Sequence, residues 1–406
     1  MCLYKLLTEI VAVENKSEKI DTSTSNISAV VGVGHTDWVE DYKRVRNGEK
    51  PYDSYGYATL AFNRALADAG ISRDEVDGLI VGPTTAYERM GEILNIDPRW
   101  GGQADAVQAV FQAVMAIKSG MAEVVALVYG NDQRSAAVQY GGPEAMGGGS
   151  FLSYVYHSPW GLTSQGALYA LMFQRYKELC GVTDRDLGQV AVGQRQWANL
   201  NPNALMRNKS LTLDEYLAAN YIAAPLRMND YCLINDGGVA LIIMSAARAK
   251  RCKQKPVYIN GLGRSDLNHH ATSLGPRLID FYRPAQINAA EQVYAAAGVG
   301  PGDIDALLVY DSFSPHIFFV LEGFGYCGQG AAAKFIADNG IGVGGKLPIN
   351  THGGHLSESY MQGWSHQIEA VRQLRGGLGE RQVRNCQHVQ YVSDVAGKAM
   401  SIIYGV

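Results

Sequence analysis

The sequence predicts an α/β fold built from two similar halves, and three observations carry that prediction. Residues 65–81, Ala65-Leu-Ala-Asp-Ala-Gly-Ile-Ser-Arg-Asp-Glu-Val-Asp-Gly-Leu-Ile-Val81, recur in altered form as Val293-Tyr-Ala-Ala-Ala-Gly-Val-Gly-Pro-Gly-Asp-Ile-Asp-Ala-Leu-Leu-Val309. Gly70 falls on Gly298, Asp77 on Asp305 and Leu79 on Leu307, a constant offset of 228 residues. Each copy reads as a helix, a C-cap glycine, an acidic turn and a buried strand. Upstream of each copy stands a short apolar run ending in glycine, Ile27-Ser-Ala-Val-Val-Gly-Val-Gly34 and Pro256-Val-Tyr-Ile-Asn-Gly-Leu-Gly263, the pattern of a buried strand. Downstream come further helix and strand candidates in both copies.

In chain order, residues 1–26 form a polar N-terminal tail, 27–254 the first half and 255–406 the second. In the first half Ala104–Lys118 carries small and apolar residues on several faces, the mark of a buried helix, and Glu123–Tyr129 reads as a strand. Residues 131–235 have no counterpart in the second half. This insertion opens on a glycine-rich loop, 141–149, and contains helix candidates at Gly166–Leu179 and Thr212–Asn220. In the second half Ser357–Leu374 reads as one helix, followed by strands at His388–Val392 and Ala399–Tyr404.

Composition narrows the function. The 406 residues are 47% hydrophobic and 18% charged with a net charge of −4, which suits a globular protein with two cores. There is no basic block for nucleic acid or an anionic membrane, no apolar run near the ~20 residues that span a bilayer, and no signal-peptide pattern. The six cysteines are scattered without a Cys-x-x-Cys pair, so no metal site is expected in this chain and a reducing cytoplasm is the expected compartment.

Three polar clusters interrupt the apolar pattern where strands end or helices begin, the usual place for a site in an α/β fold. They are Val309-Tyr-Asp-Ser-Phe-Ser-Pro-His316, the loop Asn350-Thr-His-Gly-Gly-His355 running on to Tyr360, and Trp100-Gly-Gly-Gln-Ala-Asp105, which reads as a turn opening a helix. Paired glycines such as Gly353-Gly354 let backbone N–H groups approach a ligand. His316 and His366 read as helix-face residues.

These clusters, with Asn235-Asp-Gly-Gly-Val-Ala240, Gly344-Gly-Lys-Leu-Pro-Ile-Asn350 and Val371-Arg-Gln-Leu-Arg-Gly376, make residues 27–405 resemble the thiolase superfamily, especially its sterol-carrier-protein branch. The resemblance implies two βαβαβαββ halves in five layers, α-β-α-β-α. The departures are chemically decisive. Gln103 stands where that branch places its nucleophilic cysteine, and a glutamine cannot supply the thiolate that acyl transfer needs. The branch's His-Asp-Cys-Phe motif is Tyr310-Asp-Ser-Phe313 here, and its Gly-His-Pro-Leu-Gly motif is Ser359-Tyr-Met-Gln-Gly363. Both catalytic histidines are tyrosines, about 50 residues apart, as in the thiolase-fold aldolases that shorten steroid side chains.

That likeness implies a carbon–carbon lyase: retro-aldol cleavage of a β-hydroxyacyl-CoA, with a steroid as the bulky part, to a ketone and acetyl- or propionyl-CoA. Tyr310 and Tyr360 are the expected acid and base, in either order, with phenol pKa values brought down toward neutrality. Asp311, Asn350, His352, His355, Gln103 and Asp105 are candidate supporting groups. Backbone N–H groups at Gly353, Gly354 and Gly397 are candidate oxyanion donors. Coenzyme A enters only as part of the substrate. The resemblance further implies a homodimer and a small partner with a zinc ribbon and an oligonucleotide-binding-type barrel, any zinc belonging to that partner. Three other readings compete: a non-catalytic acyl-CoA or lipid binder, an acyltransferase with an atypical nucleophile such as Ser312, and a structural subunit whose catalytic partner is elsewhere.

Overall fold

The computed structural model describes residues 23–138, 160, 164–266, 271–272, 275–276, 282–395 and 398–406. Most of the tail, the glycine-rich loop 141–149 and Gly397 lie outside the described residues.

The first half runs β1 (Ser28–His35), α1 (Ser54–Ala69), β2 (Gly78–Val81), α2 (Tyr87–Leu94), β3 (Trp100–Gln103), α3 (Ala106–Lys118) and β4 (Val124–Asn131). Helices α4 (Gln165–Cys180) and α5 (Asp184–Leu200) follow in the insertion, and β5 (Gly237–Ser245) closes the half. The second half runs β6 (Val257–Asp266), α6 (Arg283–Ala297), β7 (Ala306–Val309), α7 (Pro315–Gly323), the single turn α8 (Gly354–Ser357), α9 (Trp364–Arg375), β8 (His388–Val395) and β9 (Lys398–Gly405).

The strands form a nine-stranded sheet in the order β7-β8-β9-β6-β1-β5-β4-β2-β3. The two halves meet where β1 and β6 pair antiparallel, at Ala29 with Tyr258 and Val30 with Val257. On either side of that seam the order is the same: β1-β5-β4-β2 answers β6-β9-β8-β7. The parallel pairs β2–β4 and β7–β8 occupy equivalent places. Helices α3 and α9 share one core with the inner faces of both halves. Helix α1 covers the outer face of the first half and α6 and α7 that of the second, which makes the five layers.

The repeated residues do the same work twice. Gly70 and Gly298 end α1 and α6 in the left-handed conformation, at φ 72° and 69°. The Asp77 carboxylate accepts the N–H groups of Glu123 and Val124 at the start of β4. The Asp305 carboxylate accepts those of Gln387 and His388 at the start of β8. On the first strand of each half, a Cβ on Gly34 would lie 2.2 Å from the carbonyl oxygen of Ala61 in α1, and one on Gly263 would lie 2.1 Å from that of Ala289 in α6. The helix therefore seats directly on the strand backbone in both halves.

Two local expectations are corrected. Trp100-Gly-Gly-Gln103 is not a turn but an edge strand, pairing parallel with β2 from Gly78–Trp100 to Val81–Gln103. The single helix expected over 357–374 is broken between α8 and α9. Gln362 and Gly363 take φ values of 46° and 83° there, and the Tyr360 N–H is bound by a side chain instead of a helical carbonyl. Among the described residues no helix is long and apolar enough to cross a membrane.

Candidate active site

The site forms where β7 ends and the broken helix segment passes over it. Tyr310 is the first residue beyond β7. Its N–H donates to Val392 O at 2.8 Å, which continues the β7–β8 ladder by one residue. Asn350, itself at φ 50°, clamps the strand just before it. The Asn350 Oδ1 accepts the Val309 N–H at 2.8 Å and its Nδ2 donates to Val309 O at 3.0 Å.

Tyr360 sits in the turn between α8 and α9 and is held by the first half of the molecule. Its N–H donates to Asn235 Oδ1 at 2.7 Å, and its carbonyl accepts from Asn131 Nδ2 at 3.3 Å. The two tyrosine hydroxyls come within 3.1 Å of each other. The turn succeeds only because residue 363 is glycine. A Cβ there would lie 2.0 Å from the Tyr391 hydroxyl and 3.0 Å from Tyr310 Cδ2, on a backbone at φ 83°.

His355 supports both rings. Its ring lies edge-on to Tyr310 at 4.8 Å and packs against Tyr360 at 4.9 Å between centroids. The Gly363 N–H donates to His355 Nε2 at 2.9 Å, so the neutral ring carries its proton on Nδ1. That nitrogen faces Asp311 Oδ1 at 3.6 Å. Asp311 is fully buried and well satisfied, because Oδ1 also accepts from the His355 N–H at 2.8 Å and from His366 Nε2 at 3.0 Å. Asp311, His355 and His366 hold donor atoms within 4.8 Å of one another, the spacing of a cation site. Their existing bonds make the group a hydrogen-bond network that braces the tyrosines. Gly354 exists for the same packing: a Cβ there would meet Asp311 Oδ2 at 2.2 Å and Asn350 Nδ2 at 2.8 Å.

Other expected residues lie further out. His352 is buried behind His366, with ring centroids 4.5 Å apart, and its Nε2 faces Glu358 Oε2 at 3.7 Å. Gln103 donates to Thr85 O at 2.9 Å, and Asp105 caps α3 by accepting the Gln108 N–H at 2.9 Å. Neither bonds a tyrosine hydroxyl, although the Asp105 charge is felt at Tyr310. Gly353, at φ 107°, packs on Ala198.

The electrostatics reverse one expectation. Burial raises the Tyr310 phenol above its ordinary value, partly offset by its hydrogen bond from Tyr360. Burial, then the neighbouring Tyr310, raises Tyr360 well above it. Burial drives His355 well below the usual imidazole range, with His366 adding to the effect. The nearby Cys232 thiol is pushed up to about 12, chiefly by burial, which leaves it a poor nucleophile.

Sequence reasoning passed over four contributors. Asn131 and Asn235 fix the Tyr360 backbone, and Asn235 stood in a stretch quoted only for family likeness. His366 and His316 lie on helices α9 and α7, as read from the sequence, and both are fully buried. His366 stacks on Tyr391 at 5.3 Å, and His316 Nε2 lies 3.0 Å from Ser312 Oγ. The i, i+4 spacing of Ser312 and His316 was the one available signal for that pair.

Five layers in two matching halves, with polar groups and a pair of facing tyrosine hydroxyls gathered at the strand ends of the second, define a thiolase-fold protein. The chain belongs to the thiolase superfamily, in the branch of thiolase-fold steroid side-chain aldolases. Its residues 268–405 match the family described as thiolase C-terminal domain-like. The chain is 34% identical over 403 residues to the 17-hydroxy-3-oxo-4-pregnene-20-carboxyl-CoA lyase of Mycobacterium tuberculosis, covering 94% of this chain and 100% of that protein. It is 33% identical to the steroid side-chain-cleaving aldolase of Thermomonospora curvata, covering 86% of this chain and 90% of the relative. Among solved structures, the Ltp2-ChsH2(DUF35) aldolase superposes with a TM-score of 0.85 at 30% identity, over 95% of this chain and 99% of that one. Human mitochondrial 3-ketoacyl-CoA thiolase shares the fold at a TM-score of 0.66 and 15% identity.

Proposed function

We propose that this chain is a retro-aldolase that cleaves a β-hydroxyacyl-CoA of steroid type, with Tyr310 and Tyr360 as a proton-sharing acid–base pair. The observation that carries the reading is the 3.1 Å contact between the two hydroxyls. One phenolate and one phenol at that distance give a closed cycle. The phenolate takes the proton of the substrate β-hydroxyl, and the oxygen's electrons form the ketone. The Cα–Cβ bond breaks and its electrons pass into the thioester enolate. The second tyrosine gives its proton to the α-carbon. A proton hop between the two oxygens then restores the starting state. No covalent intermediate is needed, in keeping with glutamine at position 103.

The relatives' names supply the substrate class. In 17-hydroxy-3-oxo-4-pregnene-20-carboxyl-CoA the hydroxyl is β to the thioester, so cleavage yields a 17-ketone and propionyl-CoA. The Ltp2-ChsH2(DUF35) likeness supports a small partner protein. The homodimer of this chain, and zinc held by the partner, belong to the same proposal. The described cysteines are free thiols, which suits a reducing cytoplasm.

Mass spectrometry of products from that thioester tests the reading. Ketone and propionyl-CoA appear in equal amounts, and Tyr310→Phe and Tyr360→Phe each lower the rate by about 100-fold or more. Full activity in both Phe variants would refute it, and tight binding of uncleaved substrate would make the chain a binding protein.

A further inference from the structure

We propose that Arg134 and Arg46, set around Tyr42, form a subsite for the phosphate-bearing end of the coenzyme A moiety. The proposal rests on the acyl-CoA reading above and gives that substrate a second anchor, away from the tyrosine pair.

Two segments of the first half bring the subsite together. β1 and β4 both run antiparallel to β5, so they end on the same side of the sheet. β4 ends at Asn131, whose amide holds the Tyr360 carbonyl, so the tyrosine pair lies on that side. A short helix, Trp38–Arg46, follows β1 there. Its buried Trp38 seats against Gly237, two residues from Asn235; a Cβ on Gly237 would lie 2.7 Å from the Trp38 ring. The turn after β4 carries Arg134. The N–H groups of Arg134 and Ser135 donate to Asp236 Oδ1 at 2.9 and 3.1 Å. The adjacent residues Asn235 and Asp236 thus hold the Tyr360 backbone and the Arg134 turn respectively.

The Arg134 guanidinium lies over the Tyr42 ring, with its Cζ 3.6 Å from the centroid. Tyr42 is 37% exposed, so the stack reaches the surface. Among the described residues no carboxylate lies within ion-pair distance of Arg134. Its Nη1 is buried without a hydrogen-bond partner, a state in which polar atoms are rarely left. The acids beside it are turned to other donors: Asp236 to the two N–H groups above, and Asp132 to the Ser54 hydroxyl at 2.6 Å. Arg46 follows Tyr42 by four residues on the same helix, which sets their Cβ atoms about 5–6 Å apart on one face. Arg46 is exposed and, among the described residues, is in no ion pair.

This composition fits a phosphate ester joined to a flat base. A guanidinium fork binds phosphate oxygens in pairs, and the tyrosine ring offers a face to adenine. The spacing also fits. Arg134 is three residues from Asn131, at most about 11 Å of extended chain, so the arginine stands beyond the reacting carbons on the scale of a pantetheine arm.

The test uses the full chain and the variants Arg134→Gln, Arg134→Lys and Arg46→Gln. Calorimetry with free coenzyme A, alone and in competition with inorganic phosphate, reads binding without cleavage. Steady-state cleavage of the steroid thioester of coenzyme A is compared with that of the same acid on pantetheine, which lacks the phosphates. Phosphate is expected to compete with coenzyme A. The Kd of coenzyme A should rise about tenfold or more in Arg134→Gln, and Arg46→Gln should also weaken it. Arg134→Lys, which keeps the charge and loses the fork, should fall between Arg134→Gln and the parent. The coenzyme A thioester should lose its advantage in KM over the pantetheine thioester in the same order.

Melting temperatures confirm that each variant is folded, and Arg46, being exposed, supplies one if Arg134→Gln is not. Parental coenzyme A affinity in the folded glutamine variants overturns the subsite. Phosphate bound through Arg134 with no change in coenzyme A affinity also overturns it, as an anion site unrelated to substrate. Arginine-dependent coenzyme A binding by a parent that cleaves neither thioester supports the subsite and sinks the retro-aldol reading. A parent that cleaves both thioesters with one KM keeps the retro-aldol reading and overturns the subsite.

Discussion

Replacing Gly363 with alanine should damage the site by a mechanism that can be separated into two parts. The backbone there sits at φ 83°, where an L side chain costs about 1–2 kcal/mol. The new methyl would lie 2.0 Å from the Tyr391 hydroxyl and 3.0 Å from the edge of the Tyr310 ring. The first distance is far inside contact, so Tyr391 must move, and overpacking of this kind costs about 1–3 kcal/mol. Together the variant should lose about 2–5 kcal/mol in urea unfolding. Cleavage should fall as well, because the Tyr310 ring is displaced from Tyr360. Among the described residues the Tyr391 hydroxyl has no hydrogen-bond partner, so Tyr391→Phe alone should be nearly neutral. In Gly363→Ala/Tyr391→Phe most of the overpacking share should return, leaving the backbone strain and the tighter contact with the Tyr310 ring. A Gly363→Ala protein within about 0.5 kcal/mol of the parent would refute the reasoning. So would a double variant no more stable than Gly363→Ala.

Two other perturbations probe the surroundings of the pair. Asn350→Ala strips both hydrogen bonds from the Val309 backbone, and two buried groups left unpaired should cost about 2–5 kcal/mol by denaturant unfolding, with reduced cleavage. Glu358 is held up at about 8, by burial first and then by the neighbouring Glu369. Its folded value lies above the unfolded one. Its contribution to stability is therefore full below about pH 4 and lost as pH rises through about 8, with a limiting slope near 1.4 kcal/mol per pH unit. Glu358→Gln, which still accepts from Asn201 Nδ2, should gain on the parent in melting temperature between pH 7 and 9. Parallel pH curves for the two proteins would rule out a buried neutral carboxyl.

The parts of the fold legible from sequence were those set by local pattern. The Gly-x-Gly strands, the C-cap glycines and the repeated Asp77 and Asp305 turns announce themselves, because their neighbours in the chain dictate their conformation. Trp100–Gln103 misled because two glycines look like a turn, whereas the parallel ladder to β2 makes them a strand. The break between α8 and α9 was hidden for a similar reason. Its cause is the Asn235 amide, over a hundred residues away, taking the Tyr360 N–H. The tyrosines themselves stood out through motif substitution. Their environment did not, because the sequence cannot say that burial, unrelieved by a nearby cation, will raise both phenols. His316 and His366 looked like ordinary helical positions until α7 and α9 turned them inward.

The two halves are not equal where β3 would have its twin. In the first half, Trp100–Gln103 forms a four-residue strand beside β2. In the second, the matching contact shrinks to one bridge between Leu307 and Ile349. The next residue, Asn350, turns away to clamp Val309. The repeated unit thus keeps its edge strand in one copy and gives it up, at the proposed site, in the other. Substitutions at matching positions should then obey different rules. Those along β3 would be judged by whether a strand still forms, and those at 349–363 by whether two oxygens still meet.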